Sequence, residues 1–242
     1  MYHKLYLGNN QLSGTVPHSI FNLSSVTQLY LGNNHLQGFL PFDMLINLPN
    51  IKYLTIGQNQ FTGSIPTLLS NASNLGSLEL EDKFFTGKVP SIHKLSMLNY
   101  LFQNNNSLGT RGPDDLNFLC SLTNATDLQS LRIGSNDMGG SLPECIGNLS
   151  SKLLEFQLDH NHIFSDIPAG IANLLNLMYF YADNNNFSGA IPESLGNLSN
   201  LRELSMSRNN LQGDIPPSLG NCKILQSLNL AGNNLQGNIP PS

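Results

Sequence analysis

Nine times in this chain an asparagine is followed, seven residues later, by a proline, with leucine-like residues at fixed offsets around them. The phase is carried by Asn10, Asn34, Asn59, Asn106, Asn136, Asn161, Asn185, Asn209 and Asn233, and Lys83 stands in the fourth place. Successive marks are 24, 25, 24, 23, 30, 25, 24, 24 and 24 residues apart. A unit this short cannot bury a core of its own and must stack on its neighbours. The expected architecture is therefore one solenoid domain of about ten repeats over residues 1–242, with an irregular long repeat at 106–136. Function is then to be sought on a long exposed face.

One repeat shows how the pattern becomes structure. Leu204-Ser205-Met206 alternates apolar and polar residues, the periodicity of a short strand with one face buried. Such a strand pairs in parallel with its counterparts in adjacent repeats. The stretch Pro217 to Cys222 then returns the chain across the opposite side as a short helix or 3₁₀ turn. The asparagine falls where the chain leaves the strand and bends. Its amide has both a donor and an acceptor, so it can satisfy backbone groups that the bend strands inside. These asparagines read as structural. An ammonium has no acceptor, so the turn at Lys83 is expected to be arranged differently or open to water. Four residues after the mark comes glycine, as in Gly213 and Gly237, with Ser165 once in its place.

The pattern L-x-L-x-x-N-x-L-x-G-x-I-P, seen in Leu228 to Pro240, resembles the plant-type extracellular leucine-rich repeat and runs through essentially the whole chain. The resemblance implies a leucine-rich repeat solenoid of the α/β horseshoe type. A short parallel β-sheet would line its concave face, 3₁₀ or short helices its convex face, and the Gly-x-Ile-Pro segments would form a second β-element in a superhelical stack. Between Asn106 and Asn136 that segment gives way to an LG…DL-x-FL insertion, Leu108 to Leu119. This resembles one subfamily of plant receptor kinases, that of the rice bacterial-blight resistance receptor and the receptor for bacterial elongation factor Tu.

Composition narrows the partners. Only 11% of residues are charged, the net charge is −5 and there is no basic run, so nucleic acid is not expected. No apolar stretch approaches the length of a membrane span, and this segment is not expected to touch a membrane. Neither a signal peptide nor the paired-cysteine caps usual in the family are visible. The chain reads as an internal fragment of a longer ectodomain or as a truncated gene product. Of the three cysteines, Cys120 and Cys145 lie at similar phases of adjacent repeats. A bridge between them is conceivable, but buried free thiols are the expected state. Seven N-x-S/T sequons occur, at Asn22, Asn71, Asn105, Asn124, Asn148, Asn186 and Asn197. They suit a secreted, glycosylated surface, although N-L-S is also what the repeat itself prefers.

Residues six, four and two places before each mark point out of the strand, into the concave surface. Aromatic residues recur there, and tyrosine and arginine are the common anchors of binding surfaces. The candidate ligand-binding residues are Tyr30, Tyr53, Glu79, Glu81, Tyr100, Phe102, Arg132, Gln157, Tyr179 and Tyr181. Glu79, Glu81 and Asp82 form an acidic cluster, two repeats from Arg132. A peptide in the groove would set basic side chains on the acids and a carboxylate on the arginine. The long repeat offers Arg111, Asp114 and Asp115 as further polar handles. His160 and His162 flank a marked asparagine, but two histidines without a third partner make a surface turn rather than a metal site.

The functional expectation is a ligand-recognition segment of a plant receptor-like kinase, binding a peptide or microbial protein outside the cell. The resemblance implies that an intact member sits in the plasma membrane by a single helix, carries a cytoplasmic serine/threonine kinase and pairs with a co-receptor kinase ectodomain. The glycine-rich loop, H-R-D and D-F-G stretches are absent from this chain, which is therefore expected to be no enzyme and to need no cofactor. Glu79 and Glu81 share a strand face, but the fold is expected to supply no enclosed cleft to tune their pKa. The alternative is a secreted inhibitor or decoy similar to the polygalacturonase-inhibiting proteins, whose cysteine-paired caps and regular repeats differ from what is seen here.

Overall fold

The computed structural model describes residues 3–81 and 84–240. Lys83 and Asp82 lie outside the described residues. A single parallel sheet of ten strands runs through the molecule in chain order, from Lys4–Tyr6 to Ser227–Asn229. Each strand is three residues long, so it is held by its neighbours on both sides rather than by its own length. The register never slips: Leu29 faces Leu54, Leu54 faces Leu78, Leu101 faces Leu131, and Phe156 faces Phe180. These central residues are fully buried and form the inner wall of the core. Each contributes about 1.5–3 kcal/mol by leaving water.

The marked asparagines form the expected ladder. Asn161 accepts the Met138 N–H at 3.0 Å and donates to the carbonyls of Ile133 and Leu158, each at 3.1 Å. Asn136, Asn185 and Asn209 repeat the arrangement, each stitching its own repeat to the preceding one. A feature not read from the sequence stands directly before them. Asn33, Gln58, Asn105, Ser135, His160, Asn184 and Arg208 all adopt left-handed backbone, with φ between 51° and 57°. This residue turns the chain off the spine strand, and the asparagine amide then satisfies the carbonyls exposed by the turn. Because asparagine, glutamine, serine, histidine and arginine share the position, no single residue type advertises it.

Beyond the ladder a second β-element forms, as the resemblance implies, but in separate patches. Ser13–Thr15, His35–Phe39 and Gln60–Thr62 make one, and Phe164–Asp166 pairs with Asn186–Ser188. The prolines close this element and open the outer turn. Pro66, Pro168, Pro192 and Pro216 sit at the start of the 3₁₀ segments Thr67–Asn71, Ala169–Asn173, Glu193–Asn197 and Pro217–Asn221, and their carbonyls accept N–H groups three residues on. Proline fits because it locks φ and has no N–H to leave unpaired there.

The long repeat is anchored from within. Asp115 is 3% exposed and accepts four hydrogen bonds: from Thr110 N and Oγ1, Gly112 N and Gly139 N, at 2.8–3.0 Å. Burial by itself would raise its pKa, but these donors outweigh it and hold the carboxyl below the usual range. Asp115 is therefore a fastener, not the exposed handle that was expected. The extra residues also lengthen the outer segment into an eight-residue 3₁₀ stretch, Asn117–Asn124. That lays Cys120 beside Cys145 of the next repeat, Cα atoms 5.5 Å apart, and the two are joined in a disulfide. The expectation of buried free thiols fails for this pair because the insertion closes the distance. Cys222 is free and buried, its Sγ 3.6 Å from the Leu195 carbonyl oxygen.

Candidate functional site: the concave groove

The strand register sets the outward residues in two rows. One runs Lys4, Gln28, Tyr53, Ser77, Tyr100, Ser130, Glu155, Tyr179 and Glu203. The other runs Tyr6, Tyr30, Thr55, Glu79, Phe102, Arg132, Gln157, Tyr181 and Ser205. All ten candidate ligand-binding residues thus lie on one face, Glu81 two residues beyond Glu79. Tyr53 and Tyr100 are each 38% exposed, and Tyr30, Phe102, Arg132, Gln157, Tyr179 and Tyr181 are half-buried by their neighbours.

Two of the groove's hollows are lined by candidate ligand-binding residues. The first, about 510 Å³, runs from the Tyr6 and Tyr30 rings across Gly8, Gly32 and Gly57 to Glu79 and Glu81. Its rings meet edge to face, centroids 4.9 Å apart, and burial followed by the neighbouring Tyr6 and Glu79 raises the Tyr30 pKa. Its floor is bare backbone because side chains do not fit: a Cβ on Gly57 would come within 2.8 Å of the Glu81 carbonyl oxygen. Glu79 is pinned by hydroxyls, Ser77 Oγ donating to Oε1 and Thr55 Oγ1 to Oε2, both at 3.0 Å. Glu81 differs. Its Oε2 is buried and accepts no hydrogen bond among the described residues. Burial, with the nearby Glu79 charge, pushes its pKa up against the opposing pull of its own backbone N–H and of Arg132. No enclosed cleft is needed for this, since the adjacent strand desolvates Glu81.

The second hollow, about 260 Å³, is lined by Tyr100, Phe102, Arg132, Leu154, Met178 and Tyr179 among others. Arg132 lies over the Phe102 ring at 4.5 Å, and its Nε donates to Glu155 Oε2 at 2.9 Å. Ser130 Oγ donates to the same oxygen at 2.6 Å. The arginine is thus already paired, which corrects the picture of a guanidinium waiting for a ligand carboxylate. Tyr53, Gln157 and Tyr181 line neither hollow. Tyr181 donates its hydroxyl to Glu203 Oε2 at 2.8 Å, and burial followed by that carboxylate raises its pKa.

Sequence reasoning passed over Leu154 and Met178, which sit one residue before their strands and give the second hollow an apolar side. Leu154 is 38% exposed despite its type, the one signal that marks it. His160 meets Asp159 at 2.7 Å and His162 meets Asp137 at 3.5 Å, both exposed. Arg111 holds Asp137 at 2.7 Å, so the long repeat's arginine is also engaged. No group of three metal-binding side chains occurs among the described residues. All seven sequon asparagines are exposed, and Asn71, Asn124, Asn148 and Asn197 each end a 3₁₀ segment on the outer side. No helix among the described residues is long and apolar enough to cross a membrane.

Leucine-rich repeat profiles match residues 175–235 and, separately, 3–23, 50–72 and 127–149. A receptor-like protein kinase of Arabidopsis thaliana is 46% identical over 84 residues, 35% of this chain and 8% of that protein. The receptor kinase-like protein Xa21 of Oryza sativa subsp. japonica is 40% identical over 93 residues, 38% of this chain and 8% of that protein. The matched stretches are thus under a tenth of these relatives' length. The receptor kinase HAESA of Arabidopsis, solved with the peptide hormone IDA and the co-receptor SERK1, superposes with a TM-score of 0.90 at 32% identity, over 98% of this chain and 39% of that one. With the ladder, the strand register and the outer turns in place over the whole stack, the chain is a leucine-rich repeat protein of the plant type, and it resembles the ectodomains of receptor-like kinases.

Proposed function

We propose that this chain is the ligand-recognition segment of a plant receptor-like kinase, taking an extended peptide along its concave groove. The observation that carries the reading is the pair of outward rows, unbroken over ten strands and rich in aromatic residues where core packing does not require them. Their partly exposed rings supply contact area at small entropic cost. The likeness to HAESA, a receptor solved with a peptide hormone and a co-receptor, supports the same reading. On this reading the parent protein is held at the outer face of the plasma membrane. It carries the serine/threonine kinase domain elsewhere in its chain, engages a co-receptor kinase ectodomain when liganded, and bears glycans at Asn22, Asn71, Asn105, Asn124, Asn148, Asn186 and Asn197. The folded domain spans 1–242 as one recognition unit.

The test is a binding screen of synthetic extended peptides against the folded chain by fluorescence polarisation. Each binder is then challenged with Tyr100→Ala and Tyr179→Ala on the groove and with Lys223→Ala on the outer side. Affinity falling tenfold or more in the groove variants alone supports the proposal. Binders that lose affinity only in the outer variant sink it, as does a chain that ignores peptides but inhibits a polygalacturonase.

A further inference from the structure

The groove holds more acid than it neutralises. Its outward positions carry Glu79, Glu81, Glu155, Asp159, Asp183 and Glu203 against Lys4 and Arg132. Arg132 and Glu155 satisfy each other, and Asp183 is taken up by the hydroxyls of Ser205 and Ser207. Glu203 accepts the Tyr181 hydroxyl and Asp159 Oδ2 meets His160, though Asp159 Oδ1 has no hydrogen bond among the described residues; two acids stand together at the end of the first hollow. There Glu79 is held in position by two hydroxyl donors, which keep its charge aimed along the groove. Beside it, Glu81 lines the hollow, its Oε2 buried against Gly57 and satisfied by no donor among the described residues. From this pair the hollow leads over three glycines to two tyrosine rings.

We infer that the peptide bound in this groove carries a basic side chain, arginine in preference to lysine, seated in the hollow between Tyr30 and the Glu79–Glu81 pair. The inference rests on the reading of the groove as a peptide site and names the chemistry of one subsite within it. Three features of the hollow select such a group. The carboxylates supply acceptors for the fork of a guanidinium, whose planar donors match carboxylate geometry better than an ammonium does. The glycine floor lets a methylene stem lie against backbone, with no side chain beneath it to displace. The tyrosine faces at the far end favour a desolvated cation. A divalent metal is a poorer match, since such ions require six or more oxygen ligands and no third acid joins this pair among the described residues.

The experiment is an amide NMR titration of the whole folded chain with N-acetyl-arginine amide, N-acetyl-citrulline amide and calcium chloride in separate arms. Citrulline keeps the shape of arginine and removes its charge. The expected result is a saturable shift of the Gly32 and Gly57 resonances with the arginine probe, at least tenfold weaker with citrulline. That shift is lost in Glu79→Gln and Glu81→Gln, while resonances of the C-terminal repeats stay in place. Equal responses to arginine and citrulline overturn the proposal, as does an arginine response that survives both substitutions or saturation by calcium in place of arginine. The citrulline arm needs no variant, so it decides the matter even where a substitution unfolds the chain. Failure here, with peptide binders still sensitive to Tyr179→Ala, removes the basic subsite and leaves the groove reading standing.

Discussion

The carboxylate of Glu81 stands over the bare backbone of Gly57: a Cβ built on that glycine would lie 3.0 Å from Glu81 Oε2. The same relation recurs three strands further along the groove, where a Cβ on Gly134 would lie 2.5 Å from Asp159 Oδ1, a second buried oxygen with no hydrogen bond among the described residues. In both places an acid of one repeat is desolvated by the backbone of the repeat before it, and the missing side chain makes the approach possible.

The stability of the chain should therefore improve when the Glu81 charge is removed. Burial raises its pKa in the fold above the unfolded value, so the fold prefers the protonated form. The penalty is absent at pH below the ordinary carboxylate range and grows as pH rises through the folded pKa. Glu81→Gln should be more stable than the parent at pH 7 and indistinguishable from it at pH 3. Urea denaturation at the two pH values measures this, and a pH-independent difference would contradict it.

Gly57→Ala tests the floor of the hollow. A methyl group there collides with the Glu81 backbone and carboxylate, so the substitution should cost about 1–3 kcal/mol, the usual range for overpacking. Gly14 has open space around a built Cβ, yet its φ of 81° would strain a side chain by itself. Comparing the two separates collision from backbone strain: both variants lose stability in thermal melts, but only Gly57→Ala should shift the Glu79 and Glu81 carboxyl resonances.

Asp115 predicts the opposite pH behaviour. Its folded pKa is depressed, so its contribution is in full force above the unfolded carboxylate value and is lost as pH falls through the folded one. Asp115→Ala leaves the backbone amides of Thr110, Gly112 and the buried Gly139 without their acceptor and should cost about 3 kcal/mol or more at pH 7. The deficit relative to the parent should shrink only in strongly acid solution. A loss below 1 kcal/mol at neutral pH would show that the loop finds other partners.

Reduction of the Cys120–Cys145 bridge, or the double substitution to serine, should lower stability by about 2–4 kcal/mol, the typical value for a native disulfide. Intact-mass measurement after alkylation under non-reducing conditions should label Cys222 alone, and only once the chain is unfolded, since burial both shields that thiol and raises its pKa.

Ser135 carries the left-handed turn ahead of Asn136 with φ 54°. Glycine reaches that conformation freely, whereas a β-branched side chain is strained there by about 1–2 kcal/mol. Ser135→Gly should thus leave the melting temperature unchanged or raised, and Ser135→Val should lower it.

Much of this architecture can be read from spacing alone. The leucines at Leu29, Leu54 and Leu78 announce the strand and its buried face, and the asparagine phase announces the bend, because both are enforced in every repeat by the same packing. The outward residues are legible for the same reason: whatever alternates with a buried leucine must face the groove. Three things escape. The left-handed residue is invisible because several residue types tolerate it. The partnership of Arg132 with Glu155 depends on rotamers across two strands, which no period encodes. The Cys120–Cys145 contact and the fastening of Asp115 arise in the long repeat, where the period that made everything else readable is suspended.

That bridge has a mechanical meaning. In a bent stack the outer rim is the longer arc, and neighbouring coils there have the most freedom to splay. Cys120 lies on the outer arc behind Phe102 and Arg132, and Cys145 on the arc between Arg132 and Glu155, so the disulfide works as a hoop that sets the rim length at mid-groove. The spacing of the coils behind the middle of the groove is thereby tied by a covalent bond rather than by packing alone.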